Sequence, residues 1–121
     1  MTTSAVIDNL EKLLGGPRDG ALLRYSLGSE HLKAGDWAQA ALRLREAVER
    51  DGNHSAAWKL LGRALADGGQ PAAALAAYEQ GIVVAQSRGD VQAAKEMRIF
   101  ARRLRRQLAA TDERAVTASP P

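Results

Sequence analysis

Glycine-centred breaks cut this chain into six segments, each of helical length. They fall at Gly15-Gly16-Pro17, Gly35, Asp51-Gly52-Asn53, Gly68-Gly69 and Arg88-Gly89-Asp90. Glycine ends a helix because it enters the left-handed conformation without steric cost, and proline cannot continue one. Between the breaks, apolar residues recur at three- and four-residue spacing, as in Val6, Leu10, Leu13 and Leu14. The spacing predicts helices over Ser4–Leu14, from Asp19 as cap to Ala34, and over Trp37–Arg50 after a cap at Asp36. It predicts three more: Ser55 as cap to Asp67, Pro71 in the first turn to Ser87, and from Asp90 to Ala110. Thr3 or Ser4 is the expected cap of the first. Composition agrees: 24 Ala and 15 Leu supply about a third of the 121 residues, and both lose little on entering a helix. Only five aromatic residues are present, two Trp, two Tyr and one Phe, which argues against a β fold. The expected fold class is all-α, with short loops that make consecutive helices antiparallel neighbours. The tail from Thr111 is polar, small and Pro-ended, so residues 111–121 are expected to be disordered.

Two of the glycines have no business in a helix interior. Gly28 and Gly62 each cost about 1 kcal/mol there relative to alanine. They lie 34 residues apart, and the same shift sets Leu27 on Leu61, Gly35 on Gly69, Ala38 on Ala72 and Ala40 on Ala74. A repeat explains them: where a second helix approaches closely, the missing Cβ leaves room for it. The small partners on that second helix would be Ala40 and Ala74, with Leu27, Leu61, Leu44 and Tyr78 filling the space between hairpin partners. Trp58 would bridge one hairpin to the previous one and be largely buried.

The second unit reads Trp58-x-x-Leu61-Gly62-x-x-Leu65, then Ala74-x-x-x-Tyr78-x-x-Gly81. This resembles the tetratricopeptide repeat, W-x-x-L-G-x-x-Y followed by A-x-x-x-F. Gln86 stands where the family has a proline. The first unit keeps Leu27, Gly28, Ala40 and Ala47 and departs at Arg24, His31, Leu44 and Gly52. The resemblance implies two helix-turn-helix repeats, 20–54 and 55–88, in a short right-handed α-solenoid. Residues 1–19 become an N-terminal helix and linker, and 89–110 a C-terminal capping helix. Its stripe of Ala93, Met97, Phe100, Ala101, Leu104 and Leu108 would close the stack.

In this family the first helix of each repeat lines a concave groove that holds a peptide. Carried over by position, the resemblance implies a groove of Tyr25, Ser29 and Lys33 from the first unit and Lys59 and Arg63 from the second. Some relatives grip a C-terminal carboxylate with a Lys/Asn clamp. The matching positions here hold Tyr25, Ser29, Leu60, Asp90 and Ala94, so that clamp is absent. The expected partner is a protein or peptide, with an acidic segment favoured by the modestly basic groove.

Charge is concentrated in one place. Residues 91–108 hold Lys95, Arg98, Arg102, Arg103, Arg105 and Arg106 against Glu96, a net of +5 in a chain of net +3, leaving −2 for the rest. That distribution argues against a diffusely basic nucleic-acid-binding body. The basic half of this helix reads as a solubilising face, as an extension of the groove, or as a contact for nucleic acid or an anionic membrane. Its bulky apolar residue is Ile99 and it bears no aromatic, which speaks against base stacking and membrane insertion. A nucleic-acid-binding accessory protein, or a self-associating structural subunit, are the rival functions.

Chemistry is otherwise sparse. No cysteine is present, which excludes disulfides, thiolate metal sites and cysteine nucleophiles. His31 falls at the repeat's aromatic packing position and His54 in a loop between repeats. Gly15-Gly16 and Gly68-Gly69 lack the Lys-Ser/Thr of a phosphate loop. No catalytic constellation emerges, and we expect neither enzymatic activity nor a cofactor or metal. No apolar run of about 18 residues occurs, and the N-terminal residues lack the basic and apolar regions of a signal peptide. A cytoplasmic protein, monomeric or weakly self-associating, is expected.

Overall fold

The computed structural model describes residues 2–118, with side chains to residue 115. Helices form α1 (Thr3–Glu11), α2 (Ala21–Lys33), α3 (Trp37–Arg50), α4 (Ser55–Asp67), α5 (Pro71–Ser87) and α6 (Val91–Ala118), with no strand among the described residues. Four of the five glycine breaks use the left-handed conformation the sequence implies, whereas α3 ends through extended Asp51. Gly69 adopts φ of 78°, and the next residue, Gln70, donates its N–H to the Leu65 carbonyl at 2.9 Å, closing the end of α4. The same pattern recurs at Gly35 and Gly89.

Several expected caps are used differently. Asp36 caps α3 by accepting from the Gln39 N–H at 3.2 Å, and Pro71 sits in the first turn of α5. Thr2, rather than Thr3 or Ser4, caps α1 through the Ala5 N–H. Asp19 does not cap α2. It accepts from the Gly15 N–H at 2.8 Å and from the Arg24 guanidinium, which takes both of its oxygens. Ser55 does not cap α4; its hydroxyl donates to Asp90 at 2.8 Å and ties the start of α4 to the start of α6. At the other end, α6 runs past Ala110 to Ala118, so a disordered tail beginning at Thr111 is not what the structure shows. Nothing between 111 and 118 breaks a helix, and Thr111 turns its hydroxyl back to the Gln107 carbonyl at 3.0 Å. The rest of the expected tail, residues 119–121, lies outside the described residues.

The helices stack in chain order. α2 pairs with α3, α4 with α5, and α5 with α6; α3 also packs on α4, and α1 on α2. Beyond these, α2 touches α4 and α4 touches α6, while α3 and α5 do not meet. Each hairpin therefore contacts only its neighbours, the arrangement of an α-solenoid, and α2, α4 and α6 share one face.

The glycines lie at the close approaches. A Cβ on Gly62 would come within 2.5–2.7 Å of the Tyr78 ring, and one on Gly28 would strike the Leu44 side chain. The residues received are thus Leu44 and Tyr78, one turn beyond Ala40 and Ala74, which are themselves fully buried. Gly81 makes a third approach, against Met97 of α6 and Trp58 of α4. Leu27, Leu44, Leu61 and Met97 are the largest side chains wholly removed from water. Trp58 and Trp37 are both partly buried and pack against the core. The Trp58 indole N–H reaches out to the Gly52 carbonyl at 2.8 Å, so the ring lies across the α3–α4 turn rather than deep in the core.

α1 is held differently from the rest. None of its residues is fully buried. Its end lies over His31, whose ring is buried and whose Nε2 is 3.9 Å from a Glu11 carboxylate oxygen, without a hydrogen bond. The linker behind it is fastened by a chain of ion pairs: Asp19 to Arg24 at 2.6 Å, Arg24 to Glu46 at 2.9 Å, and Glu46 to Arg43 at 3.0 Å.

Candidate functional site

The shared face of α2, α4 and α6 carries two adjoining cavities. The larger, about 550 Å³, lies between α4 and α6. Leu60, Ala66, Tyr78, Phe100 and Leu104 give it an apolar wall, and Lys59, Arg63, Asp67, Glu96, Arg103 and Gln107 surround them. The smaller, about 140 Å³, lies between α2 and α4 and is lined by Ser29, Leu32, Lys33, Leu60 and Arg63. Leu60 and Arg63 belong to both, which makes one continuous groove across three helices.

Four of the five residues expected from sequence, Ser29, Lys33, Lys59 and Arg63, meet in this groove. Tyr25 lines neither cavity. Its ring packs on His54 with centroids 4.5 Å apart and planes tilted by 53°, because the α3–α4 loop brings the imidazole over the first turns of α2. Of the six cations between Lys95 and Arg106 on α6, Arg103 alone lines the groove. Arg98 borders a separate notch of about 180 Å³ with Gln86, Gly89 and Val91, and Arg105 lies 3.7 Å from Glu79 of α5. Lys95, Arg102 and Arg106 are exposed to solvent. The reason is rotation: the groove-facing positions of α6 are 96, 100, 103 and 107, and successive residues turn by about 100°. Five of the cations fall outside that stripe.

The sequence reading missed Leu60, Asp67, Glu96, Phe100 and Leu104 as groove residues. Phe100 and Leu104 were legible only as members of the core stripe. They do pack inward, but they stand at its edge, and the groove runs along that edge.

Charges in the groove are mostly spoken for. Lys59 bonds Glu96 across the α4–α6 gap at 2.5 Å, and Gln92 donates to the same carboxylate at 3.1 Å. The hydrogen bond from Lys59, then that from Gln92, hold the Glu96 carboxyl below its ordinary pKa. Arg63 lies 3.6 Å from Asp67, one turn on, and Lys33 binds Glu30 at 3.1 Å. Arg103 forms an ion pair with no carboxylate among the described residues. Burial pushes the Tyr78 hydroxyl up to about 12, and the Asp67 carboxylate adds to this, so the phenol is a neutral wall of the cavity. Among the described residues no three histidines and carboxylates converge as a metal site, and no helix is long and apolar enough to cross a membrane.

Comparison with known proteins agrees with this architecture. A family model described as tetratricopeptide repeat matches residues 25–91. TPR repeat-containing protein PA0015 of Pseudomonas aeruginosa is 48% identical over 101 residues, covering 84% of this chain and 96% of that protein. The solution structure of protein BPP2914 from Bordetella parapertussis superposes with a TM-score of 0.75 at 39% identity, over 89% of this chain and 94% of the other. A tetratricopeptide repeat domain protein from Salinibacter ruber gives a TM-score of 0.65 at 28% identity, over 73% of this chain and 88% of its own. The repeat pattern read in the sequence, the glycine-mediated helix packing and these matches lead to one statement: the chain belongs to the tetratricopeptide-repeat family.

Proposed function

We propose that this protein is an interaction adaptor that holds an extended segment of a partner protein in the groove of α2, α4 and α6. The observation that carries the reading is the continuity of the two cavities through Leu60 and Arg63. A concave apolar floor with a polar rim is what a bound chain needs to bury side chains while keeping its backbone hydrated. Lys33, Lys59, Arg63 and Arg103 give that rim a cationic bias, so acidic segments are favoured over basic ones. The bias is small, because Asp67 and Glu96 line the same cavity.

The rival reading places a nucleic acid on the outer face of α6, where Lys95, Arg102 and Arg106 are exposed. One experiment separates the two. Affinity capture from a cell lysate would be run with the wild type, Lys59→Glu/Arg63→Glu and Arg102→Glu/Arg106→Glu, each checked for helicity by circular dichroism. The adaptor reading expects captured proteins to be lost with the first variant and kept with the second. The opposite pattern, with competition by a single-stranded oligonucleotide, would replace it by the nucleic-acid reading. Sedimentation of the purified chain addresses self-association.

A further inference from the structure

The larger cavity has a more selective chemistry than the groove as a whole. Its wall holds two aromatic rings, Tyr78 and Phe100, tilted by 35° with centroids 5.4 Å apart. Leu60, Ala66 and Leu104 complete an apolar floor. Around it stand three cations, Lys59, Arg63 and Arg103, of which the first two already face Glu96 and Asp67. Arg103 is left with its charge unmatched, one residue from Leu104 and three from Phe100.

We infer that this cavity is an anchor pocket for an aromatic side chain of the partner segment, and that Arg103 takes one acidic residue beside that aromatic. This rests on the groove being the binding surface and says what it selects. A guest ring meets three favourable surroundings at once. It buries one face against leucine and alanine, it packs edge to face with the half-buried Phe100, and its other face lies beneath cations that the π-system attracts. A cavity of about 550 Å³ is ample for one such ring and its flanking backbone. An aliphatic guest would gain only the first of the three. A run of acidic residues would do worse, because beyond the first it would confront Asp67 and Glu96. The favoured motif is therefore one aromatic with one adjacent acid, rather than an acidic tract.

The test is selection of binders from a random peptide library on the intact protein. Each selected peptide is then mapped by amide chemical-shift changes in the ¹⁵N-labelled chain. Groove-bound peptides should be enriched in Phe, Tyr or Trp next to Asp or Glu. Replacing the aromatic by alanine should weaken binding about tenfold or more. Replacing the acid by its amide should weaken it about two- to fivefold, as for a partly exposed ion pair. Selection on Arg103→Glu should keep the aromatic and exchange the acid for Lys or Arg; Arg103 is exposed, so the fold tolerates that change. As a second variant, Ala66→Phe puts a ring of the chain's own in the cavity and should abolish binding while circular dichroism stays unchanged. Groove binders without aromatic enrichment, or an unchanged preference on Arg103→Glu, would overturn the anchor pocket and leave the groove standing. If no selected peptide shifts α2, α4 or α6, the groove itself fails and the pocket with it.

Discussion

Gly62 and Tyr78 are one packing event seen from two helices. Helix propensity alone makes Gly62→Ala stabilising by about 1 kcal/mol. The structure reverses that sign. The new methyl would lie 2.5–2.7 Å from three atoms of the Tyr78 ring, and that ring is 3% exposed and packed against Phe100, so it has little room to yield. Gly62→Ala is expected to lower the unfolding free energy by about 1–3 kcal/mol in urea melts, the cost of overpacking a filled core. With Tyr78→Ala in the background the obstacle is gone, and the same change should stabilise, a coupling that only residues in contact show. A higher urea midpoint for the single variant would mean that the ring gives way. This contact was partly legible in the sequence, because a glycine in a helix interior asks for a reason. Its partner was not. Alanine looked like the natural counterpart of glycine, whereas the ring one turn further on fills the space left by the absent Cβ.

The helices whose ends depend on neighbours in sequence were the ones read most closely. Asp36 and Pro71 act within their own first turns, and α3 and α5 begin where they were expected. Asp19 and Ser55 looked equally good as caps, but each has a stronger partner far from its own N–H groups, Arg24 in one case and Asp90 in the other. A charged or long-range hydrogen bond outcompetes the local one, and no local pattern reveals it. For Asp19 the consequence is a pH dependence. The hydrogen bond from Arg24, reinforced by the Gly15 N–H, holds its carboxyl well below the usual range. Burial pushes Glu46 upward, but Arg24 and Arg43 outweigh it and the net shift is also downward. Both groups bind a proton more weakly folded than unfolded. Their contribution is therefore complete above the unfolded carboxylate range, about pH 4, and is lost progressively as pH falls from there toward their lower folded values. Since this chain of ion pairs fastens the linker behind α1, and α1 has no fully buried residue, α1 should loosen first. Hydrogen exchange corrected for its intrinsic pH dependence should show α1 amides losing protection near pH 3 while α4 and α5 keep theirs. Asp19→Asn should reproduce this at pH 7. Equal loss in α1 and α5 would mean that the network has no local role.

Taken as one surface, the protein separates its two concentrations of cations, and the sequence could not show this. Along the chain Arg102, Arg103, Arg105 and Arg106 are one run; around α6 they point in different directions, and only Arg103 enters the groove. The main groove cavity therefore carries three cations and two carboxylates, a net of +1, although residues 91–108 alone sum to +5. The salt response of binding follows from this division. A ligand in the groove gains one unmatched charge, partly exposed and screened over about 8–10 Å at ordinary ionic strength. Raising salt tenfold should weaken it by a factor of a few, and the apolar anchor against Leu60, Phe100 and Leu104 should hold the rest. A single-stranded nucleic acid on Lys95, Arg98, Arg102 and Arg106 would make about four phosphate contacts, each releasing a fraction of a counterion. At about 0.7 per phosphate contact, the same rise in salt would weaken it several-hundredfold. Titration of a selected peptide and of an oligonucleotide at about 0.05 and 0.5 M salt thus counts the charges in use. A shallow slope for the peptide that reverses sign in Arg103→Glu, where the cavity becomes net negative, and is untouched by Arg102→Glu/Arg106→Glu, is the expected result. A steep slope for the peptide would place it on the outer face of α6, and the groove reading would then be wrong.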